Sequence, residues 1–381
     1  MTNQYSYCKL STGVSFYFAW KLPGNFKDPE THLLWCMNKN AETGYMKREN
    51  VFFSILTPCY NSAPFISATI ETLLNQDVDD WEWIMIDDGS QDNTLDVISE
   101  YARRDARIRV IEQKNSGVSV SRNRGIAEAS GQWIVGLDHD DALMPGALHD
   151  LKQLILSFPE AECFVFPYYA KSETDRVTEC VDRVFREFGN RSFSGAEAFE
   201  LLYSRKQYRG QHWQPWRFVF RKETPPCFTP GVIHEDLDAL PFYVAERKSV
   251  CIAARPFYRY TVDAPTAVTR SFSPKRVADV CNVMKKIYQK IDQISSGESD
   301  LNLSPGVLKG FKALLAYNLF GFYYASDGFA EPERTQALAV FEANKDWLLA
   351  IEDPWLQAGI KRFLLHTLGA KNTARFLRWI K

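Results

Sequence analysis

The sequence contains 8 cysteines, but no two of them have the CxxC spacing. Zinc knuckles and thioredoxin-like redox sites depend on such pairs, so the sequence disfavours both, and a reduced cytosol is the simplest setting. No apolar run approaches the roughly 18 to 20 residues of a membrane-spanning helix. The short apolar stretch at 14–20 lacks the charged flank of a signal peptide. We therefore expect a cytoplasmic protein.

The sequence also lacks a large excess of positive or negative charge, because it contains 45 Lys and Arg residues and 47 Asp and Glu residues. A net charge of −2 is not that of a globally basic nucleic-acid binder, so no nucleic-acid partner is expected. Neither GxGxxG nor GxxxxGK[ST] occurs in the chain. The sequence thus excludes a dinucleotide-binding loop and a P-loop.

Apolar runs alternate with amphipathic stretches from residue 46 onward, which predicts βαβ units and a parallel sheet. Predicted strands lie at 51–56, 81–87, 108–113, 133–138 and 161–169. Predicted helices between them include 65–76 and 117–130. The pattern is mixed beyond about residue 190, with a helix at 195–204, a strand at 216–223 and a helix at 235–247. From there the sequence predicts helices at 275–294, 305–325, 331–349 and 354–380.

Carboxylates gather where these predicted strands end. Asp87 and Asp88 close the second strand, and Asp138, Asp140 and Asp141 follow the fourth. Ligands of an open parallel sheet bind beyond the carboxyl ends of its strands. Crowded carboxylates would repel a pyrophosphate directly, but they can hold one through a hard divalent cation. We therefore expect a metal bound to a nucleotide diphosphate at this edge.

Four successive motifs resemble those of the family 2 glycosyltransferases: "TPCYN", "IDDGSQDNT", "NSGVSVSRNRGI" and "GLDHDDALMPGAL". Later, "PWRFVFRKE" and "HEDLDALPFYVAERKSVCIAARPFYRY" resemble the acceptor half of the same family. The resemblance covers roughly residues 50–270. It implies an α/β GT-A fold, which is a Rossmann-like, mostly parallel sheet flanked by helices. It also implies a nucleotide-sugar donor, Mn²⁺ or Mg²⁺ as cofactor, and inversion at the anomeric carbon.

The resemblance also assigns donor-binding roles to individual residues. By motif position these are Pro58, Tyr60, Asp87, Asp88, Arg122 and Asp138. Pro58 and Tyr60 would shape the first nucleotide loop. Asp88 resembles the residue that reads the base, with Asp87 as the alternative. Arg122 resembles a basic residue at the nucleotide or phosphate.

Metal and catalytic roles follow in the same way. Asp138 resembles the ribose contact and Asp140 the metal ligand of a DXD motif, in which Asp138 is the second candidate ligand. His139 fills the variable position, and its role stays open. Asp236 resembles the general base, with Glu235 as its orienting neighbour.

Each motif also has an ordinary structural explanation. A turn rich in Asp, Gly and Ser is most often only a turn, and acidic residues after a strand can cap the next helix. Arg122 could lie on a solvated helix face, and Asp236 could be an N-terminal helix charge. Trp213 and Trp216 could stack on a sugar, but burial is at least as common.

The C-terminal segment 354–381 carries six basic residues and no acidic one, together with Phe, Leu and Trp. A basic amphipathic helix of this kind is typical of an interfacial membrane binder. A helix that packs its apolar side on the domain explains the pattern equally well. Membrane binding would place the protein peripherally at the inner face of a membrane.

Three regions are expected: an N-terminal extension at 1–45, a GT-A domain at 46–270 and a helical region at 271–381. The expected function is inverting, metal-dependent transfer from a nucleotide-diphosphate sugar, with UDP-sugars as the commonest donors of the family. The acceptor would be a hydroxyl of a glycan or lipid-linked molecule in surface polysaccharide or glycoconjugate synthesis. Two alternatives stay open, a nucleotidyltransferase and an inactive sugar-nucleotide-binding scaffold.

Overall fold

The computed structural model describes residues 50–172, 176–205, 212–262 and 274–326, with a few isolated positions up to residue 339. The predicted extension at 1–45 and the predicted helices at 331–349 and 354–380 lie outside these ranges.

Twelve strands occur in the described part of the chain, and they form two sheets. In chain order they are β1 (Phe53–Cys59), β2 (Trp81–Asp87), β3 (Ile108–Glu112), β4 (Trp133–Gly136), β5 (Ala142–Leu143), β6 (Cys163–Val165), β7 (Tyr168–Lys171), β8 (Val177–Cys180), β9 (Arg191–Phe193), β10 (Phe218–Arg221), β11 (Val250–Ile252) and β12 (Tyr258–Thr261). The large sheet has the order β3-β2-β1-β4-β10-β6-β11-β9, and the small one has the order β5-β12-β7-β8.

Helices cover the large sheet. In chain order they are α1 (Ile66–Leu74), α2 (Thr94–Arg104), α3 (Val118–Glu128), α4 (Ala147–Ser157), α5 (Arg183–Phe188), α6 (Gly195–Phe199), α7 (Glu235–Ala245), α8 (Pro274–Ser296) and α9 (Pro305–Ser326). A π-helical turn, Glu200–Ser204, continues α6, and a 3₁₀ turn, Pro215–Arg217, precedes β10.

The four strands β3, β2, β1 and β4 run parallel, as the strand–helix alternation predicted. Every residue of β2 is buried, because both faces of the sheet are covered. Ile84 and Ile86 belong to the core on one face, whereas Trp83 and Met85 belong to the core on the other. A central parallel strand therefore reads as a continuous apolar run. The mixed α/β fold with a large, mostly parallel sheet is confirmed.

The predicted strand at 161–169 is wrong as one element, because it divides between the two sheets. β6 pairs with β10 and β11 in the large sheet, and β7 pairs with β12 and β8 in the small one. Pro167 lies between β6 and β7 and has no amide hydrogen to continue a ladder. The chain uses this break to change sheets.

The two C-terminal helices α8 and α9 share a hydrophobic core with the domain that precedes them. Val280, Met284 and Ile287 of α8 are buried in the same cluster as the apolar side chains of α7. Phe311 of α9 packs edge-on against Phe199, with ring centroids 4.9 Å apart. The chain position near 270 therefore does not separate two cores. Within the described residues, no helix combines the length and apolar character needed to cross a bilayer.

Candidate active site

The loops after β1, β2 and β4 meet at one edge of the large sheet. The amide of Asp88 donates to the carbonyl of Cys59 over 2.8 Å, which joins the first two loops. The amide of Leu137 donates to Leu56, and the hydroxyl of Thr57 donates to the carbonyl of Leu137 over 2.6 Å. These bonds hold the ends of the three strands in register, so the residues that follow them share one rim.

The first loop presents Tyr60, whose side chain is one of the few large exposed apolar groups at 43% exposure. Pro58 before it is half-buried. Asn61 adopts a left-handed conformation with φ of 50°, and its amide donates to the hydroxyl of Ser90. This contact ties the first loop to the "DDGS" turn, so Tyr60 lies beside the second loop.

Asp87 and Asp88 are both buried, and both carboxylates accept hydrogen bonds from the protein. Asp87 accepts from the hydroxyl of Ser90 over 2.5 Å. Asp88 accepts from the amides of Ser116 and Gly117 and from the side chain of Gln113, each over 2.8 Å. Asp88 thereby fixes the loop that leads into α3.

The loop after β4 places its three aspartates in different surroundings. Asp138 is 30% exposed, Asp140 is half-buried, and Asp141 is buried. Asp141 accepts from the hydroxyl of Tyr258 and from the amide of Thr261, each over 2.7 Å. Asp141 therefore anchors the loop to β12, and it leaves Asp138 and Asp140 at the rim.

The charge of the rim is poorly compensated. Burial, together with the charge of Asp138, raises the pKa of the Asp140 carboxyl, although His139 opposes this shift. Burial and the charges of Asp138 and Asp140 raise the pKa of Asp141 well above its usual value. Both shifts mean that a nearby cation would stabilise the ionised carboxylates. The imidazole Nε2 of His139 is buried and has no hydrogen-bond partner among the described residues.

Arg122 of α3 connects this rim to the first turn of α7. Its guanidinium forms an ion pair with Glu235 and lies 3.5 Å from a carboxylate oxygen of Asp138. Its side chain is only 13% exposed, and it faces the ring of Phe228. Burial opposes the charge, but Glu235 and Asp138 outweigh burial and hold the pKa of Arg122 above its usual range. Arg122 is therefore not on a solvated helix face.

The first turn of α7 carries the acidic residues of "HEDLD". Asp236 is half-buried and accepts from the amide of Leu237 over 2.8 Å. Burial and the neighbouring charge of Glu235 raise the pKa of Asp236 to about 7, against the opposing effect of Arg122. Asp238 points away, because it accepts from Thr229 and pairs with Lys286 at 2.7 Å. Asp236 is thus a carboxyl that titrates near neutrality beside the ion-paired cluster.

The part of the chain that forms this edge of the sheet matches a known protein family. Residues 54–212 match the family described as Glycosyl transferase family 2. This segment of the chain belongs to the family 2 glycosyltransferases. The matched segment contains the rim and Arg122 but ends before α7, so Glu235 and Asp236 lie outside it.

Several curated relatives resemble the glycosyltransferase domain. An uncharacterized glycosyltransferase of Bacillus subtilis, EpsJ, is 36% identical over 174 residues, which is 45% of this chain and 48% of that protein. The putative teichuronic acid biosynthesis glycosyltransferase TuaG of the same organism is 35% identical over 123 residues, 32% of this chain and 48% of that protein. A cholesterol galactosyltransferase of Borreliella burgdorferi is 28% identical over 171 residues, 40% of this chain and 48% of that protein. The chain spans about half the length of these relatives.

Solved structures support the GT-A fold of this chain. S. aureus TarS 1–349 in complex with UDP-GlcNAc superposes with a TM-score of 0.57 at 18% identity, over 78% of this chain and 82% of that one. The complex of the same protein with UDP gives a TM-score of 0.54 at 21% identity, over 81% and 86%. At such low identity the likeness establishes the fold and nothing about the ligand.

The oxygen ligands at the rim suit a hard divalent cation. Asp138 and Asp140 supply carboxylate oxygens, which Mn²⁺ and Mg²⁺ prefer. Among the described residues no group of three or more His, Cys, Asp or Glu side chains could hold a metal by itself. Two carboxylates completed by diphosphate oxygens and water are the usual arrangement for Mg²⁺. The residues present therefore fit a cation that arrives with the donor.

Several contacts of the glycosyltransferase site had no local signal in the sequence. Tyr258 and Thr261 hold Asp141, and only the aromatic "PFYRY" run hinted at them. Arg276 of α8 reaches His234 at the start of α7 from outside every motif. Trp216 is buried and stacks on Tyr258 with centroids 4.7 Å apart, which supports the packing interpretation.

Proposed function

We propose that this chain is an inverting glycosyltransferase that moves a sugar from a UDP-sugar to an acceptor hydroxyl with a divalent cation. The observation that carries the proposal is the cluster in which Arg122 contacts both Asp138 and Glu235. That cluster places the carboxyl end of β4 against the first turn of α7. A donor held at the first and a base on the second would face the same anomeric carbon.

The donor would bind across the loops after β1 and β2. The exposed ring of Tyr60 and the adjacent Pro58 offer contact area for the base. The carboxylates of Asp87 and Asp88 are already hydrogen-bonded within the protein, so we assign both residues a role in shaping the base pocket. Asp138 would contact the ribose, and uridine is the expected base because UDP-sugars are the commonest donors of the family.

Asp138 and Asp140 would hold Mn²⁺ or Mg²⁺ at the diphosphate. A bound cation would neutralise the charge that the diphosphate gains on leaving. Arg122 would keep Asp138 oriented from the opposite side, since its guanidinium lies 3.5 Å from that carboxylate.

Asp236 would act as the general base. The acceptor oxygen forms a bond to the anomeric carbon while the bond from that carbon to the diphosphate breaks. The hydroxyl proton passes to Asp236, and the electron pair of the broken bond leaves with UDP. Attack opposite the leaving group inverts the configuration. A pKa of about 7 suits this role, because about half of the base is then ionised at pH 7 and it still accepts a proton readily.

The acceptor would be a hydroxyl of a glycan or of a lipid-linked molecule in surface polysaccharide or glycoconjugate synthesis. Relatives named for teichuronic acid biosynthesis and for cholesterol galactosylation support both classes. A lipid-linked acceptor would also give a purpose to the basic segment 354–381, which would then lie at the inner membrane surface.

A thermal-shift screen with UDP, GDP, CMP and dTDP-sugars, each with and without Mn²⁺, tests the donor. A ligand at 100 times its Kd stabilises the folded state by about 2.7 kcal/mol, which such a screen detects. UDP-sugars with Mn²⁺ are expected to stabilise the protein, and slow release of UDP should follow. Stabilisation without UDP release and without transfer to any added acceptor would instead fit an inactive donor-binding protein.

A further inference from the structure

The N-terminal turn of α8 contacts the residue that starts α7. Arg276 is 7% exposed, and its Nε donates to Nε2 of His234 over 3.4 Å. Further along α8, Lys286 pairs with Asp238, which lies on another side of α7. The helix outside the matched family segment thus touches the first turn of α7 at two separate points.

His234 is an unusual residue for the start of a helix. It has φ of 74° and ψ of 38°, a left-handed conformation that is strained for a residue with a Cβ. Its side chain accepts no capping bond from the helix. Burial, reinforced by the charge of Arg276, lowers the pKa of His234 to about 4. The imidazole is therefore neutral at pH 7, and Nε2 can accept from Arg276.

This left-handed residue directly precedes Glu235 and Asp236. A turn at this position decides where both carboxylates project. The ion pair of Glu235 with Arg122 holds the turn from the side of α3. The contact of His234 with Arg276 holds it from the side of α8.

We propose that Arg276 is a positioning residue, which fixes the His234 turn and places a buried positive charge beside Asp236. The inference rests on the proposed role of Asp236 as base. It makes α8 a part of the active site, although that helix lies outside the segment that matches the family.

Several charged or titratable groups surround Asp236. Glu235 is its neighbour on α7, Arg122 faces it from α3, and Tyr203 lies near it on the turn after α6. Burial lowers the pKa of Arg276, and the carboxylate of Asp236 opposes that effect. The two positive groups favour the ionised base, whereas Glu235 opposes it. Removing the charge of Arg276 should therefore raise the pKa of Asp236.

The test measures UDP release from a UDP-sugar with Mn²⁺ across pH in the full chain. Arg276→Gln should move the acid limb of kcat/KM upward by about half a unit or more, because a nearby opposite charge is lost. The rate at pH 7 should fall about twofold or more and recover in part at higher pH. Arg276→Lys should keep the limb near its wild-type position, because the charge is retained. Lys290→Gln on the same helix, whose partner Glu246 lies at the other end of α7, is the matched control, and it should leave the limb unchanged.

His234→Asn tests the contact itself. Asparagine tolerates the left-handed conformation but is too short to accept from Arg276. The loss in kcat caused by Arg276→Gln should therefore be smaller in the His234→Asn background than in the wild type. UDP binding with Mn²⁺ should persist in all these variants, which also shows that they fold.

Each outcome separates this inference from the proposed function. Absence of UDP release by the wild type with every donor would overturn both. An active wild type with an inactive Asp236→Asn variant, but with an unmoved acid limb in Arg276→Gln, would overturn the Arg276 inference alone. A variant that loses stability and rate equally at all pH values would show a merely structural contact.

Discussion

Asp236 and Asp140 are both half-buried carboxylates with a raised pKa, but their neighbours differ. Asp236 has Arg122 close by. The hydrogen bond that its carboxylate accepts from the amide of Leu237, in the first turn of α7, fixes its direction. Asp140 has His139 as its main favourable charge, and Asp138 repels it. The surroundings of Asp236 suit a base that exchanges a proton near neutral pH. Those of Asp140 suit a metal ligand whose ionised form a bound cation would stabilise.

Asp140→Asn should abolish the stabilisation by UDP with Mn²⁺, because the amide removes one charge from a site that must hold a dication. The ligand-free protein should be no less stable at pH 8. A raised folded-state pKa means that ionisation costs stability as pH rises, and asparagine escapes that cost. Thermal shifts with and without ligand measure both effects. Asp150→Asn is the control, because Asp150 is an acidic residue that forms an ion pair with Arg255 on the surface. Undiminished Mn²⁺-dependent stabilisation would reduce the carboxylates to a structural role.

Asp88→Asn tests whether this residue mainly supports its loop. The carboxylate accepts from Gln113, Ser116 and Gly117, and an amide can accept with only one of its two ends. We expect the free energy of unfolding to fall by about 1–3 kcal/mol in urea denaturation, because at least one buried donor loses its partner. Unchanged stability with a large loss of UDP affinity would instead support direct base recognition.

At the level of elements, the repeating apolar patterns made the parallel half of the sheet predictable. β1, β2 and β4 are almost wholly buried, so their sequences carry a strong local signal, whereas β3 at the edge of the sheet is only partly buried. The division of 161–169 between two sheets depends on strands far along the chain, β11 and β12, and only Pro167 marked it locally. The contacts of Asp88, Asp141 and Arg276 likewise join residues that are distant in sequence, and no local pattern specifies such partners.

The turn between α3 and β4 offers a test of this close strand packing. A Cβ added at Gly131 would lie 2.7 Å from the backbone of Phe53 in β1, and the amide of Gly131 donates to Ser54. Gly131→Ala should destabilise the protein by about 1–3 kcal/mol, because backbone atoms of a central strand cannot move aside. Gly306→Ala, in an open first turn of α9, should be neutral or mildly stabilising. Equal melting temperatures for the two variants would contradict the packing described at β1.

At the scale of the whole molecule, the described helices α8 and α9 belong to the core of the residues that precede them. Buried side chains of α8 and α9 share one cluster with α6 and α7. A chain ending at residue 270 should therefore be insoluble or lack a cooperative thermal transition, because it exposes that apolar face. Soluble expression and calorimetry of the shortened chain measure this. A soluble, cooperatively melting product that binds UDP would support the predicted boundary between 270 and 271 as a domain border.

The proposed function joins a donor rim to a base through Arg122, and the expected pH dependence follows from Asp236. The base must be ionised, so kcat/KM for UDP release should rise with pH up to about 7 and then level off. Glu235→Gln should have a milder effect than loss of the base itself, since Glu235 holds Arg122 and takes no proton.

The pH profile of UDP release, measured with Mn²⁺ for the wild type and Asp236→Asn, tests this account most directly. The variant should lose on the order of 10²-fold or more in kcat and lose the acid limb, while its affinity for UDP stays unchanged. Such a result would mean that transition-state stabilisation falls while ground-state donor binding does not. A variant that releases UDP at the wild-type rate with the same acid limb would contradict the account, because the base would then lie elsewhere.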